Sequence, residues 1–343
     1  MNFESNHLVA PNPPCSYDLP ILNTSFIVKL TSMVLIKVTG KDAKKLLQGQ
    51  LTCHLDEITE QTFRLGAYCN VQGRAIATFY LFYWQDAYYF IVHEKVAAIL
   101  LTTLKKYSVF FQVQLDIVSN GLALFGIQEV TAEFYAQNDA LQSNEQSPML
   151  LGVPAYVAHA NHEGISLGVP GVFKRSIIVC LNESLLFSRL DSLSVMPDVD
   201  LWRLLDIVKG IAHVDGDTKE QYIPIELNYD LIQGINFKKG CYTGQEIIAR
   251  MHYKGKPKFR VAYISFVSDE QVHANQSFYV QTSEGIRHVF AKLLSWVKLA
   301  QENHALVLIN QSLLASMSLD EGQLITIDEP RLDIYLRSNI YPK

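Results

Sequence analysis

Lys238-Lys239-Gly240-Cys241-Tyr242-Thr243-Gly244-Gln245-Glu246 is the stretch on which the reading of this chain turns. Thr243 and Glu246 have the spacing of a capping box, in which each side chain accepts from the other residue's backbone N–H. Beyond them Ile247, Ile248 and Met251 share one helical face, and Gly255 and Pro257 end the run. The pattern predicts a helix of about three turns beginning just after Thr243. Cys241 stands ahead of that start, beside Lys238 and Lys239. The positive end of a helix and two ammonium groups all favour a thiolate over a thiol. Gly240 and Gly244 let the backbone bend and come close to a ligand. The competing reading is a small apolar cysteine packed inside a glycine turn.

Basic residues continue outward. Lys238, Lys239, Arg250, Lys254, Lys256, Lys258 and Arg260 share residues 238–260 with only one acid, Glu246. The whole chain of 343 residues carries a net charge of −5, so this stripe is local. It fits a polyglutamate tail, a phosphate backbone or an acidic partner, and equally a solvated helix end. Overall acidity argues against a dedicated nucleic-acid binder. Hydrophobic residues at 49% and charged ones at 18% describe a folded chain with a large core, long enough for two or three packed units.

Five cysteines, Cys15, Cys53, Cys69, Cys180 and Cys241, form no C-x-x-C pair. That pattern and the odd count disfavour both a zinc ribbon and a disulfide scaffold. Scattered thiols suit a reducing compartment. Residues 1–22 are polar and proline-rich, without the basic start and apolar run of a signal peptide. No apolar stretch has the length of a membrane helix. The expectation is a cytoplasmic protein with a flexible N-terminal tail and no membrane partner.

Ile27–Val38 reads as one strand and Lys41–Leu51 as a helix. Thr62–His93, rich in aromatics and broken at Gln72-Gly73 and Gln85-Asp86, predicts a three-stranded antiparallel meander. Lys95–Tyr107 is helical, and Val109–Val118 and Leu122–Ile127 are strands. Glu129–Leu141 reads as helix and 138–148 as a polar loop. Strands near 155–158 and 176–180, a helix near 183–190 and an apolar-faced helix at Asp200–Lys209 follow. After Pro257, short β runs at regular spacing predict a small barrel. His159 and His162 have metal-ligand spacing but lie in a polar stretch and read as surface residues. Asp215-Gly216-Asp217 lacks the further oxygens of a calcium loop. P-loop, dinucleotide-binding, nucleophile-elbow and zincin motifs are all absent.

The K-G-C-Y-T-G-Q-E run resembles the signature of the YgfZ family, which is similar to the T-protein aminomethyltransferase of the glycine cleavage system. Gln48-Gly49-Gln50-Leu51-Thr52, Leu104-Lys105-Lys106-Tyr107 and Pro224-Ile225-Glu226-Leu227-Asn228 resemble further family segments, in order. The resemblance spans roughly Met33 to Arg260 and reaches the last third only in texture. It implies an aminomethyltransferase-like α+β fold around a central cavity with a C-terminal β-barrel. Residues 23–118 and 200–256 would form a folate-binding body, 119–199 a second α+β domain and 257–343 the barrel domain.

The resemblance further implies tetrahydrofolate as cofactor and a monomer that supports assembly or repair of iron–sulfur enzymes. Its partners would be those proteins or their assembly machinery, with an indirect link to tRNA through tRNA-modifying clients. Cys241 would be the catalytic residue, with Trp202, Glu226, Asn228, Tyr242 and Arg250 at the folate. Lys238, Lys239, Lys254, Lys256 and Lys258 would form an anion or partner stripe. One thiol cannot hold a stable cluster, so no resident metal is expected. Where the family carries a first tryptophan near the folate, this chain has Met33. Trp202 has a plain alternative as a core residue, and Glu226 as a loop carboxylate paired with lysine. A folate-dependent one-carbon transferase and an RNA-binding module acting through the stripe are the competing functions.

Overall fold

A computed structural model describes residues 19, 24–129, 155–171, 174–190, 194–196, 199–268, 271–281, 287–316, 324–328 and 331–338. Three sheets organise the chain. The first has the order β3-β4-β5-β2-β6, from β2 (Met33–Thr39), β3 (Arg64–Cys69), β4 (Ala75–Trp84), β5 (Ala87–His93) and β6 (Gln114–Val118). The expected meander is β3–β5, with register pairs such as Phe79↔Val92. β4 is buried on both faces. Phe79 and Leu81 meet α1 (Ala43–Gln48) and α2 (Glu94–Ser108) in one core, while Tyr80, Phe82 and Trp84 enter another. α2 starts where the His93 side chain accepts from Lys95 N, and it buries Val96, Ala97, Leu100 and Leu104 at helical spacing.

The second sheet has the order β11-β1-β7-β10-β9-β8: β1 (Phe26–Lys29), β7 (Ala123–Glu129), β8 (Ala158–Ala160), β9 (Gly164–Val169), β10 (Lys174–Cys180) and β11 (Ser194–Met196). The expected single strand Ile27–Val38 is therefore two. The chain turns at Leu30–Met33, and its halves join different sheets, β1 pairing with β7 and β2 with β5. α3 (Glu183–Arg189) covers one face of this sheet. The helix expected at Glu129–Leu141 and the loop 138–148 lie outside the described residues after Glu129, which ends β7.

α4 (Asp200–Lys209) carries Trp202, Leu204, Leu205, Ile207 and Val208 into the core where both sheets meet. Gly210, at φ +78°, closes this helix. From Ile211 to Gly244 the chain runs through turns, yet buries Val214, Ile225, Tyr229 and Ile232 in that core. α5 (Gln245–Lys254) follows. The third sheet is antiparallel, in the order β13-β14-β15-β12-β17-β16. Its strands are β12 (Phe259–Val267), β13 (Ser277–Gln281), β14 (Arg287–Leu299), β15 (Glu302–Asn310), β16 (Leu324–Asp328) and β17 (Arg331–Ser338), with α6 (Gln311–Ser316) after β15. Its edge strands β13 and β16 approach each other, curling it into a half-barrel, and β17 was not foreseen. The mixed α/β sheets with this half-barrel match the expected aminomethyltransferase-like fold class.

Candidate functional site

The signature loop is fixed by a segment about 190 residues earlier. Lys239 is buried at 5% exposure, and its Nζ donates to the carbonyls of Gln48, Leu51 and Cys53 at 2.8, 2.5 and 2.9 Å. Burial pushes this ammonium down to about 8. Lys239 thus leaves the anion stripe: it is a strut that ties the loop to Gln48–Cys53, with its charge over the Tyr242 ring. Thr243 Oγ1 donates to Gln50 Oε1 at 3.2 Å. Asn236 N donates to Thr52 O, and Thr52 Oγ1 donates to Gly234 O at 2.6 Å. Two of the sequence segments that carried the resemblance, the signature loop and Gln48–Thr52, therefore interlock.

The expected capping box does not form. Thr243 is turned to Gln50, and the N-cap is Gly244, at φ +83°, with no side-chain cap. A Cβ on Gly244 would lie 2.6 Å from Asn70 O, so the close approach as well as the left-handed backbone needs glycine there. Gly240 faces open space and has no such requirement. Cys241 is exposed, whereas Cys53, Cys69 and Cys180 are buried. Burial pushes the Cys53 thiol up to about 12 and that of Cys180 to about 11.

A cavity of about 430 Å³ opens where α4, the start of β2 and β14 meet. Met33, His93, Trp202, Asp206, His213 and Trp296 line it. Trp202 lies against β7 at Gly126, where a Cβ would stand 2.3 Å from the indole, and Arg175 sits over the ring at 4.9 Å. Among the described residues its buried Nε1 has no acceptor. Beside it Arg175 Nη2 donates to Asp206 Oδ1 at 2.8 Å, and His213 Nε2 is 3.3 Å from Asp206 Oδ2 and 3.4 Å from the Tyr80 hydroxyl. Burial pushes the Asp206 carboxyl up, but Arg175 and His213 outweigh it and leave the group below its ordinary value. Lys95 and Arg203, each near a carboxylate (Asp217 at 3.8 Å and Asp200 at 2.6 Å), add cations to the lining.

Of the residues expected at a ligand, this cavity takes only Trp202. Glu226 Oε2 accepts from Ile223 N at 3.1 Å, and burial raises its carboxyl. Asn228, fully buried at φ +62°, donates from Nδ2 to Val261 O and ties the loop to β12. Tyr242 is buried in the central core, and Arg250 is exposed on α5. Lys238, Lys254, Lys256 and Lys258 are exposed along the stripe. The Asp215 turn is closed by its own carboxylate, which accepts from Asp217 N and Thr218 N at 3.0 Å. His213, Asp206, Arg175 and Trp296 were not anticipated. The one signal for them is a charged Asp206 at a core position of an apolar-faced helix.

No family model matches the chain. It is 30% identical over 276 residues to the tRNA-modifying protein YgfZ of Hamiltonella defensa, covering 80% of this chain and 79% of that one. It is 29% identical over 238 residues to the protein of that name from Buchnera aphidicola, covering 69% and 72%. In structure it resembles the glycine cleavage system aminomethyltransferase T from Bartonella henselae, with a TM-score of 0.68 at 12% identity over 93% of this chain and 87% of that one.

Proposed function

The chain belongs to the YgfZ family of tRNA-modifying proteins, and from that premise we propose that it binds a reduced folate in the cavity beside Trp202. On this reading it is a cytoplasmic accessory factor for iron–sulfur enzymes, tRNA-modifying ones among them, and Cys241 is its reactive group. Among the described residues no helix is long and apolar enough to cross a membrane.

The observation that carries the reading is the cavity itself. Its volume lies in the range of small-molecule sites. Met33, Trp202 and Trp296 offer apolar and aromatic surface to a flat heterocycle, the aspartates Asp200, Asp206, Asp215 and Asp217 offer acceptors to its N–H groups, and Lys95, Arg203 and Lys298 set cations among them. The orphaned indole N–H of Trp202 is the kind of buried donor that a ligand carbonyl satisfies. A reduced folate would supply a carrier for one-carbon units at N5 and N10. The chain's own part is to hold its rings and exclude water. His213, braced by Asp206, can hold a proton at the cavity wall. That last feature also favours a second reading, a folate-dependent one-carbon transferase, in which His213 serves as acid or base.

Tetrahydrofolate titrated against the protein should change indole fluorescence. Trp202→Ala should weaken binding at least tenfold, and Trp202→Phe, which keeps the packing but removes the N–H, should weaken it less. Unchanged affinity in both variants removes the folate from this cavity. Separately, Cys241→Ala should fail to restore iron–sulfur enzyme activity in a deletion strain while binding folate normally. Full rescue would leave the thiol without a role.

A further inference from the structure

We infer that the C-terminal half of α5 and the extended segment after it form an RNA-binding surface that stacks an unpaired base on exposed aromatic rings. This inference does not depend on what the cavity binds. It begins with an aromatic cluster. The Phe237 and His252 rings stack at 3.7 Å with planes 14° apart, and Tyr253 packs edge-on against His252 at 4.8 Å. Tyr253 is 67% exposed and His252 is also exposed. Leaving a tyrosine and a histidine so open, on a helix whose only fully buried side chain is Ile248, offers π surface to a partner.

Cations surround these rings. Arg250, Tyr253 and Lys254 lie at i, i+3 and i+4 and so share one face of α5. The chain leaves the helix at Gly255 in extended form, carrying Lys256 and Lys258, and Lys238 adjoins Phe237. Among the described residues no carboxylate lies within salt-bridge distance of Lys238, Arg250, Lys254, Lys256 or Lys258. Lys29, Lys44, Arg64, Arg260 and Arg337 each sit on a carboxylate at 2.6–3.0 Å. In a chain of net charge −5, five unneutralised cations around exposed rings form a local field for a polyanion.

The rings decide which polyanion. An acidic peptide would use the charges and leave Tyr253 and His252 unused. Single-stranded and looped RNA combines backbone phosphates with unstacked bases, and recognition of it pairs basic grooves with aromatic platforms. Cys241 follows Phe237 by four positions, so the Cα atoms of the two lie within about 14 Å of each other. RNA held there would pass near Cys241.

Fluorescence anisotropy with an unmodified tRNA transcript at several salt concentrations tests this on the full chain. Lys254→Gln, Lys256→Gln and Lys258→Gln together should lower the slope of log affinity against log salt by about two. Tyr253→Ala should weaken binding about 5- to 100-fold with the slope unchanged. A fully paired RNA duplex of equal length should bind less tightly than the transcript. All four sites are exposed, and a far-ultraviolet spectrum and melting curve matching wild type certify the fold. Equal binding of the duplex, an unaffected Tyr253→Ala, or polyglutamate competing as well as the transcript would each overturn the proposal, the last in favour of an acidic protein partner. Folate binding measured on the same variants should be unchanged, which keeps this test apart from that of the cavity.

Discussion

Lys239→Met removes a charge from a place where sequence alone puts a solvent-facing lysine. Methionine matches the lysine stem in length and flexibility, so little cavity opens. What is lost is the donor to the carbonyls of Gln48, Leu51 and Cys53. The contacts at Leu51 and Cys53 are buried and that at Gln48 partly so. Each buried acceptor left without a donor costs about 1–3 kcal/mol. Two such carbonyls put the expected destabilisation at about 2–6 kcal/mol, which at about 2–4 °C per kcal/mol lowers Tm by at least about 4 °C. The pH dependence adds a second mark. Burial holds the Lys239 ammonium at about 8, below its ordinary 10.5. Between those values the unfolded chain binds more protons than the folded one, so the lysine's contribution to stability rises with pH. It is complete above 10.5 and lost as pH falls through 8. Urea unfolding of both proteins at pH 7, 8 and 9.5 should show the deficit of the methionine variant widening upward. A difference within about 0.5 kcal/mol at every pH, as for an ordinary surface site, would refute the buried strut.

Three further outcomes follow from the same geometry. Glu226 is held above its ordinary value by burial, so its folded form retains a proton over a range where the unfolded chain has lost it. That stability is present below the unfolded pKa and lost as pH rises through the folded one, so Glu226→Gln should gain on wild type as pH rises above the ordinary 4.5; a constant difference would count against it. Asp206→Asn strips the carboxylate from Arg175, whose side chain is 1% exposed, and should cost about 3–5 kcal/mol in urea unfolding, with much of it regained in the double variant Arg175→Met/Asp206→Leu. In a Cys15→Ser background one thiol should alkylate rapidly in the folded protein and mass mapping should place it at Cys241; fast labelling of Cys53, Cys69 or Cys180 would contradict their burial.

Local pattern carried much of the fold. The meander from Arg64 to His93, the helix at Asp200–Lys209 and the β texture after Pro257 follow from side-chain period and turn residues, which neighbours in sequence determine. β1 was lost because the turn Leu30–Ser32 contains no Gly, Pro, Asn or Asp to mark a break, although the chain changes sheets there. Ile211 to Gly244 buries apolar side chains without helical or strand period, so no pattern betrays that it is core. Lys239 was misread for a related reason. The carbonyls that bury it come from Gln48–Cys53, and nothing adjacent in sequence sets a lysine beside a cysteine apart from a solvated one. The cavity is still less local, since Met33, Trp202, His213 and Trp296 come from four separate segments.

The interlocked segments also explain what kind of site Cys241 is. Lys239 anchors the loop two residues before it, Tyr242 packs into the core directly after it, Thr243 is hydrogen-bonded to Gln50, and Gly244 lies close against the backbone at Asn70. Gly240, between them, has open space where a Cβ would stand. A loop so tightly held on both sides presents its thiol outward rather than letting it fold inward. Cys241 is not among the residues lining the cavity. On the proposed reading, chemistry at this thiol suits a macromolecule arriving at the surface, while the cavity would take the small molecule. If both sites serve one function, α4 and the turns from Ile211 to Gly244 must connect them, because they carry Trp202 and His213 at one end and Lys239 and Cys241 at the other. Substitutions in those turns, rather than at either site, are where coupling between folate occupancy and thiol reactivity should break.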